Sequence, residues 1–337
     1  MKNVKRNTIF VLLIMLVVFF FIIKDDYQNI LYNLSIANRW FLLLSVLFIL
    51  LYYFLKAICI YSIAKEHNKN IRLKDMLNQT LVTQFFNGIT PFSTGGQPMQ
   101  IYLLKNSGIS LGSATNIIIQ DFLMYQLALV TVGIVALFSN SIFHYFELDA
   151  GWTTLLIGGF VINTIIGLCL LFISFSQRFN NFVGRLIIKI GAKFRIIKDK
   201  EKSFKTWEKK LEEFHDSAKL FKEKKSLLLK CYFFNCLALI SYYIIPLFVF
   251  LSFNINLSIS PLSVITSSAF VLIIGNFMPI PGGSVGIELA FTSIFGSFLD
   301  SKLISSALII WRFITYYFGV LLGGCALSFY KGSEKNK

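Results

Sequence analysis

Long apolar runs alternate with short polar segments along most of this chain. A membrane-spanning helix needs about 20 apolar residues, because the hydrocarbon core of a bilayer is about 30 Å thick. Hydropathy predicts full crossings near residues 8–23, 39–64, 111–139, 152–176, 228–252 and 302–329. The pattern therefore predicts an all-α polytopic membrane protein with about six full crossings.

Two further apolar regions, 76–104 and 260–299, are interrupted by prolines and paired glycines. Proline removes a backbone donor and glycine permits sharp turns, so a helix must break at these positions. Each region is too broken for one straight span and too apolar for a loop. We expect two re-entrant helical hairpins, each of which enters and leaves the membrane on the same side. Two such breaks in corresponding halves of a chain are typical of a transporter substrate site.

Composition supports this class. Of 337 residues, 55% are apolar and 15% are charged, with a mean hydropathy of +0.68, whereas soluble domains carry about 25% charged residues. Since no long polar stretch could fold separately, we expect one integral membrane domain over residues 1–337.

The first apolar run, Ile9–Ile23, resembles a signal peptide, but Lys24 follows it directly without a small-residue cleavage site. We favour an uncleaved first crossing, with a cleaved signal as the alternative.

Basic residues predict the orientation of the chain. With both termini cytoplasmic, the inner segments hold 27 lysines and arginines, and the outer segments hold Lys24, Arg39 and Lys302. Without the long 177–230 segment, which the positive-inside rule weighs little, the ratio is still 11 to three. The hairpins then enter from opposite faces, as inverted repeats do. The net charge of +15 therefore reflects topology and attraction to anionic lipid, and we expect no nucleic-acid partner.

The segment at about 177–230 is basic and amphipathic. Its apolar residues recur at helical spacing of three and four, which predicts a helix with one apolar face: Phe204, Trp207, Leu211, Phe214, Ala218 and Phe221. We expect a cytoplasmic helix packed on the bundle or the headgroups, with a partner-docking helix as the alternative. Gly319 and Gly323, four residues apart, predict close helix packing.

The helix starts after the two breaks are candidate anion sites, because free N–H groups and the helix dipole favour negative charge there. Pro98 suits a first helical turn, and Ser284 can cap the second helix start. A phospholipid phosphate is the expected anion, while simple packing kinks are the alternative. The candidate substrate-binding residues are Thr90, Pro91, Gly95, Gly96, Gln97, Pro98, Pro281, Gly282, Gly283, Ser284, Glu288 and Arg312.

Four ionisable residues fall inside spans or hairpins: Lys56, Asp121, Glu288 and Arg312. Charge within a membrane is costly, so each of them is a functional candidate. Glu288 can bind a cationic headgroup, carry a proton, or pair with Arg312. Lys56 is expected to extend towards the interface or to pair with Asp121.

Other chemistry is not indicated. The five cysteines and three histidines are dispersed, so we expect neither a metal nor a cofactor. The segment from Gly282 to Gly286 fits the Gly-x-Ser-x-Gly pattern of hydrolases, but that motif requires a preceding strand and a His–acid pair. No histidine lies in a predicted span, and we therefore expect no catalytic residue of this kind.

The breaks and their flanks resemble the lysylphosphatidylglycerol synthase transmembrane family, which includes the flippase region of the multiple peptide resistance factor and standalone relatives. The resemblance extends over essentially the whole chain and depends on these motifs: Thr90-Pro91-Phe92-Ser93-Thr94-Gly95-Gly96-Gln97-Pro98, Tyr102-Leu103-Leu104-Lys105, Gly108-Ile109-Ser110, Pro279-Ile280-Pro281-Gly282-Gly283-Ser284-Val285-Gly286-Ile287-Glu288 and Trp311-Arg312-Phe313-Ile314-Thr315-Tyr316-Tyr317. Where relatives often show Glu-Arg, this chain has Gln120-Asp121, which puts a role for that pair in doubt.

The resemblance implies a lipid flippase or scramblase in the cell membrane, acting on an anionic or aminoacylated phospholipid such as aminoacylated phosphatidylglycerol. The soluble aminoacyl-transferring domain of the full-length synthase is absent before Lys337, so we expect a standalone form without tRNA-dependent catalysis. A membrane-embedded transferase or transferase subunit, in which Asp121 or Glu288 is the acid or base, is the alternative, and a non-catalytic scaffold is a third. A second copy of the chain and a separate lipid-synthesising enzyme are candidate partners.

Overall fold

The structure, a computed structural model, describes residues 27–90, 93–147, 149–193, 200–253, 260–275 and 286–329. The predicted first crossing at 8–23 lies outside these residues. The described chain forms helices throughout, with no strand, so the predicted all-α class is confirmed. In chain order the helices are α1 (Tyr27–Ile36), α2 (Arg39–Ala64), α3 (Leu73–Ile89), α4 (Gly96–Asn106), α5 (Leu111–Phe143), α6 (Ala150–Phe175), α7 (Gln177–Lys193), α8 (Lys200–Glu223), α9 (Lys225–Tyr243), α10 (Ile245–Ser252), α11 (Pro261–Gly275), α12 (Gly286–Phe295), α13 (Ser301–Arg312) and, after a π-helical turn at Phe313–Tyr317, α14 (Phe318–Phe329).

Five helical segments within the described residues are long and apolar enough to cross a membrane. They coincide, within a few residues, with five of the predicted crossings. Their bounds are Arg39–Ala64, Leu111–Phe143, Ala150–Ser174, Lys225–Ser252 and Leu303–Ser328. Hydropathy alone therefore locates these spans.

Local sequence explains where several spans begin or bend. The Ser110 hydroxyl accepts from the Ser113 N–H at the start of α5, and the Asp149 carboxylate accepts from the Trp152 N–H at 2.9 Å at the start of α6. α9 and α10 are separated at Ile244, and Pro246 in the first turn of α10 has no N–H with which to continue the hydrogen bonding of α9. The Ser268 hydroxyl of α11 donates to the Tyr243 carbonyl oxygen at 2.7 Å, so a carbonyl at this bend is satisfied.

A large cluster of buried hydrophobic residues joins α10, α12 and α13 through aromatic rings. Phe291 lies against Phe295 at 4.6 Å between ring centres and stacks on Trp311 at 4.7 Å. Phe250 of α10 meets Phe295 at 5.2 Å. Ring pairs of this kind stabilise a core beyond the burial of their area. This packing holds the short helix α12, which carries Glu288, firmly against the end of α13, which carries Arg312.

The amphipathic helix predicted in the 177–230 segment is present as α8. Phe214 and Ala218 are buried, and the Glu213 carboxylate accepts from the Gly112 backbone N–H at 3.2 Å. Gly112 lies in the first turn of α5, where the helix dipole favours a carboxylate. One face of α8 therefore packs on the bundle, as expected. The side chains of Phe204 and Phe221 lie outside the described set.

Small residues bring α14 close to its neighbours. A Cβ atom on Gly323 would overlap the Leu81 carbonyl oxygen and lie 2.8 Å from the Phe85 Cβ atom, both in α3. A Cβ atom on Gly319 would overlap the Tyr53 hydroxyl of α2. The predicted role of this glycine pair in helix packing is therefore observed.

We predict that Gly323→Ala destabilises the protein by about 1–3 kcal/mol, because the added methyl group displaces the α3 backbone. Gly158→Ala on α6 is the matched control, since no atom lies within 4 Å of its Cβ position and alanine favours a helix. Thermal unfolding of the two purified variants in detergent measures the difference. Equal melting temperatures would contradict the close α3–α14 contact.

Candidate functional site

The first interrupted region folds as two antiparallel helices, α3 and α4. At one end of the pair, the Gln79 side-chain amide donates to the Ser107 hydroxyl at 3.2 Å. At the other end, the Asn87 side-chain oxygen accepts from the Gly96 backbone N–H at 2.9 Å. The chain therefore runs out along α3 and returns along α4, which is the geometry of a helical hairpin. Its entry into the membrane from one face stays a prediction.

Backbone polar groups at this break are satisfied by neighbouring side chains. The Thr90 hydroxyl donates to the Phe86 carbonyl oxygen at 2.8 Å and accepts from the Gly95 N–H at 2.8 Å. The Tyr316 hydroxyl donates to the Gly88 carbonyl oxygen at 2.8 Å. An unpaired backbone group away from water costs several kcal/mol. These side chains therefore make a broken helix tolerable inside a membrane protein.

The candidate residues of this break divide into two groups. Thr90, Gly95 and Gly96 form hydrogen bonds within the turn, while Gln97 extends to the wall of the central cavity described below. Pro98 is the third residue of α4, as its suitability for a first helical turn predicts. Since the Gly95 and Gly96 N–H groups already have acceptors in the protein, the turn offers fewer free donors to an anion than the sequence suggests. Pro91 lies outside the described residues.

The second interrupted region contains α11 and α12, whose facing ends lie close together. A Cβ atom on Gly275, the last residue of α11, would overlap the Ile287 side chain of α12. Glycine therefore permits this close approach. The linking segment, with Pro281, Gly282, Gly283 and Ser284, lies outside the described residues.

Glu288 and Arg312 form a buried ion pair. Glu288 lies in the first turn of α12, and its Oε1 atom is 2.8 Å from Nε and 2.7 Å from Nη2 of Arg312. The side chains are 15% and 7% exposed, respectively. The Arg312 guanidinium also lies 5.3 Å from the centre of the Tyr316 ring. The pairing considered for these residues is therefore observed, and Arg312 directly precedes the π-helical turn.

Lys56 and Asp121 form a second ion pair, between α2 and α5. The Lys56 ammonium lies 3.3 Å from Oδ2 of Asp121 and donates to Oδ1 of Asn235 at 2.8 Å. It also lies 4.8 Å from the centre of the Tyr125 ring. The expected pairing of Lys56 with Asp121 is therefore present, and Asn235 and Tyr125 complete the surroundings of the ammonium group.

One cavity of about 800 Å³ brings these features together. Its walls include Asn87 and Gln97 of the first hairpin, the facing helix ends at Gly275 and Ile287, and the charged residues of the spans, Lys56, Asp121 and Arg312. This volume lies within the usual range for small-molecule sites. Residues of both interrupted regions therefore meet at one charged cavity, and Glu288 joins it through Arg312.

Several residues of this cavity were not among the candidates predicted from the sequence. Tyr52, Tyr125, Tyr242 and Tyr316 contribute aromatic rings to its wall. Gln126 donates to the Asn163 side-chain oxygen at 2.8 Å, and both of these residues also line it. The amides at positions 126 and 163 interrupt apolar spans, and that interruption is the signal by which they could have been found.

The long apolar helices and the buried charged cavity define a polytopic α-helical membrane protein with a candidate substrate site. The chain belongs to the family described as the lysylphosphatidylglycerol synthase TM region, which it matches over residues 8–323. It is also similar to a UPF0104 membrane protein of Archaeoglobus fulgidus, with 23% identity over 302 residues, which is 87% of each chain. The resemblance deduced from the break motifs is therefore confirmed.

We predict that Thr90→Val destabilises the first hairpin by about 1–3 kcal/mol, because the Gly95 N–H loses its acceptor. Thr90→Ser keeps the hydroxyl, and this variant should lose much less stability. Thermal unfolding in detergent compares the two variants. A Thr90→Val protein as stable as Thr90→Ser would mean that the hydroxyl does not support the break.

Proposed function

We propose that this protein moves a phospholipid, such as an aminoacylated phosphatidylglycerol, between the two leaflets as a flippase or scramblase. The observation that carries the proposal is the charged cavity where both interrupted regions meet. A lipid headgroup needs a polar route through the hydrocarbon, because moving an ion into a medium of low dielectric is very costly. The cavity supplies that route, and the acyl chains stay in the bilayer.

The residues of the cavity have complementary roles in this proposal. Arg312 is a planar, permanently charged donor that suits a phosphate, and Glu288 beside it can accept hydrogen bonds from an amine. The Lys56 ammonium supplies a second cation. Membership of a family described by a lipid-modifying synthase supports a lipid as the substrate.

The proposal includes an orientation. Both termini face the cytoplasm of a cell membrane, and the two interrupted regions enter as hairpins from opposite faces. The distribution of basic residues supports this arrangement. Alternating access to a fixed site between inverted repeats is the expected mode of movement.

A membrane-embedded transferase, or a transferase subunit, is the second candidate function. The family description, which names a synthase, favours it. Asp121 and Glu288 are then the candidate acid or base groups. Conversion of a labelled donor and lipid into a new product by the purified protein would support this candidate.

We predict that Glu288→Gln lowers lipid translocation at least about tenfold, because Arg312 loses its buried counter-charge and the cavity loses an ammonium acceptor. A leaflet-specific assay in proteoliposomes, with fluorescent lipids quenched only in the outer leaflet, measures this rate. Asp75→Asn is the matched control, since Asp75 pairs with Arg72 at the exposed start of α3 and such pairs contribute little.

The double variant Glu288→Gln/Arg312→Gln separates function from folding, since it leaves no unpaired charge. It should fold and translocate poorly. Wild-type rates in a folded double variant would contradict the assignment of this pair to the lipid route.

A further inference from the structure

The ionisable groups around the cavity balance in charge. Among the described residues, Lys56, Asp121 and Arg312 line it, and Glu288 is bonded to Arg312. The linking segments 91–92 and 276–285 contain no ionisable residue. Among the described residues, the two cations and one carboxylate of the cavity wall, together with the Glu288 carboxylate behind Arg312, therefore balance to no net formal charge.

Each carboxylate uses one oxygen in its ion pair and leaves the other unused. The Oδ1 atom of Asp121 and the Oε2 atom of Glu288 are buried and accept no hydrogen bond from the described residues. The Oε1 atom of Gln97, on the cavity wall, is a third buried acceptor of this kind. Asp121 is 8% exposed. Buried acceptors without donors are costly, so these oxygens indicate a guest that donates N–H groups.

We propose that the cavity selects a phospholipid headgroup with one phosphate, one primary ammonium group and no net charge. This inference rests on the proposed function and specifies its substrate class. The phosphate binds at Arg312 or Lys56, and the ammonium donates to the unused oxygens of Glu288 or Asp121. Net charge on the guest is unfavourable, because a balanced cavity of low dielectric provides no counter-charge for it.

The same geometry discriminates between two kinds of zwitterion. A primary ammonium has three N–H donors, as a lysine side chain does, whereas the trimethylammonium of phosphatidylcholine has none. Phosphatidylethanolamine should therefore bind more tightly than phosphatidylcholine, although both lipids carry the same formal charges.

Binding to the purified full-length protein in detergent tests the selection independently of transport. Thermal shifts are titrated with dioctanoyl forms of phosphatidylethanolamine, phosphatidylcholine, phosphatidylglycerol and lysylphosphatidylglycerol. We expect phosphatidylethanolamine to bind about tenfold more tightly than each of the others, since one charge-assisted hydrogen bond is enough for that ratio. Soluble glycerophosphoethanolamine should bind weakly, because it lacks acyl chains.

Variants that change the charge of the cavity provide a second test, because a positive and a negative cavity should shift the lipid preference in opposite directions. Asp121→Asn gives the cavity a net positive charge and should shift preference towards anionic phosphatidylglycerol. Lys56→Gln gives it a net negative charge and should shift preference towards cationic lysylphosphatidylglycerol. The double variant Lys56→Gln/Asp121→Asn restores the charge balance but removes one cation and one acceptor, so it should bind all the lipids more weakly and regain the preference for phosphatidylethanolamine through Arg312 and Glu288. A purely structural ion pair predicts the same change for all lipids in both single variants.

The outcomes separate this inference from the proposed function. Equal affinity for all four lipids, or tightest binding of phosphatidylglycerol or lysylphosphatidylglycerol by the wild type, overturns the inference even if translocation is measured. Glycerophosphoethanolamine binding as tightly as the lipid overturns the lipid as ligand. Selective phosphatidylethanolamine binding without translocation supports the headgroup site and contradicts the flippase. If a single variant does not fold, the lipid panel on the wild type and on the double variant still tests the headgroup preference.

Discussion

The need to pair every backbone polar group in an apolar surrounding governs the rest of this structure. A continuous helix satisfies its own N–H and C=O groups, but a broken one needs partners from outside. At the first break, Thr90, Asn87 and Tyr316 provide those partners. The break can therefore lie deep in the protein only because α3, α4 and the segment before α14 pack together. Packing of the glycine face of α14 and hydrogen bonding at the break are parts of one arrangement.

The same arrangement brings charge into the interior. Arg312 precedes the π-helical turn whose Tyr316 supports the first break. It also pairs with Glu288 in the first turn of α12, within the second interrupted region. The two interrupted regions are therefore linked through a few residues of one span. A headgroup that competes for Arg312 would act on the contact between them. Under the proposed function, this link is a physical reason why binding of a lipid would be coupled to movement of the two interrupted regions.

Local signals in the sequence were sufficient for much of this picture. Hydropathy located the described spans, and proline with glycine located the breaks, because these effects act within a few residues. The pairing of Lys56 with Asp121 could be anticipated, since a lone charge in a span requires a partner. Thr90 was a candidate for substrate binding, and the structure uses its hydroxyl inside the turn. Its role depends on how the chain folds back, which residue type alone does not reveal.

The aromatic and amide residues of the cavity were less accessible to sequence reasoning. Tyrosine in an apolar span is as consistent with a packed core as with a cavity wall, and helix rotation decides between them. Tyr125 and Tyr242 line the cavity only because α5 and α9 turn those faces towards Lys56 and Arg312. The balance of charge emerged in the same way, since residues far apart in sequence had to be placed around one space before they could be counted.

A measurement of the membrane topology of the two interrupted regions tests most directly whether they are opposed hairpins around a shared cavity. Single cysteines replace Asn70, Ser110, Ser260 and Asp300, exposed positions that flank the two regions, in a chain without its five native cysteines. A membrane-impermeant thiol reagent is then applied to vesicles of each orientation. The account predicts that positions 70 and 110 are labelled from the cytoplasmic face and positions 260 and 300 from the opposite face. Labelling of either pair from two different faces would show a full crossing and contradict opposed hairpins around a shared cavity.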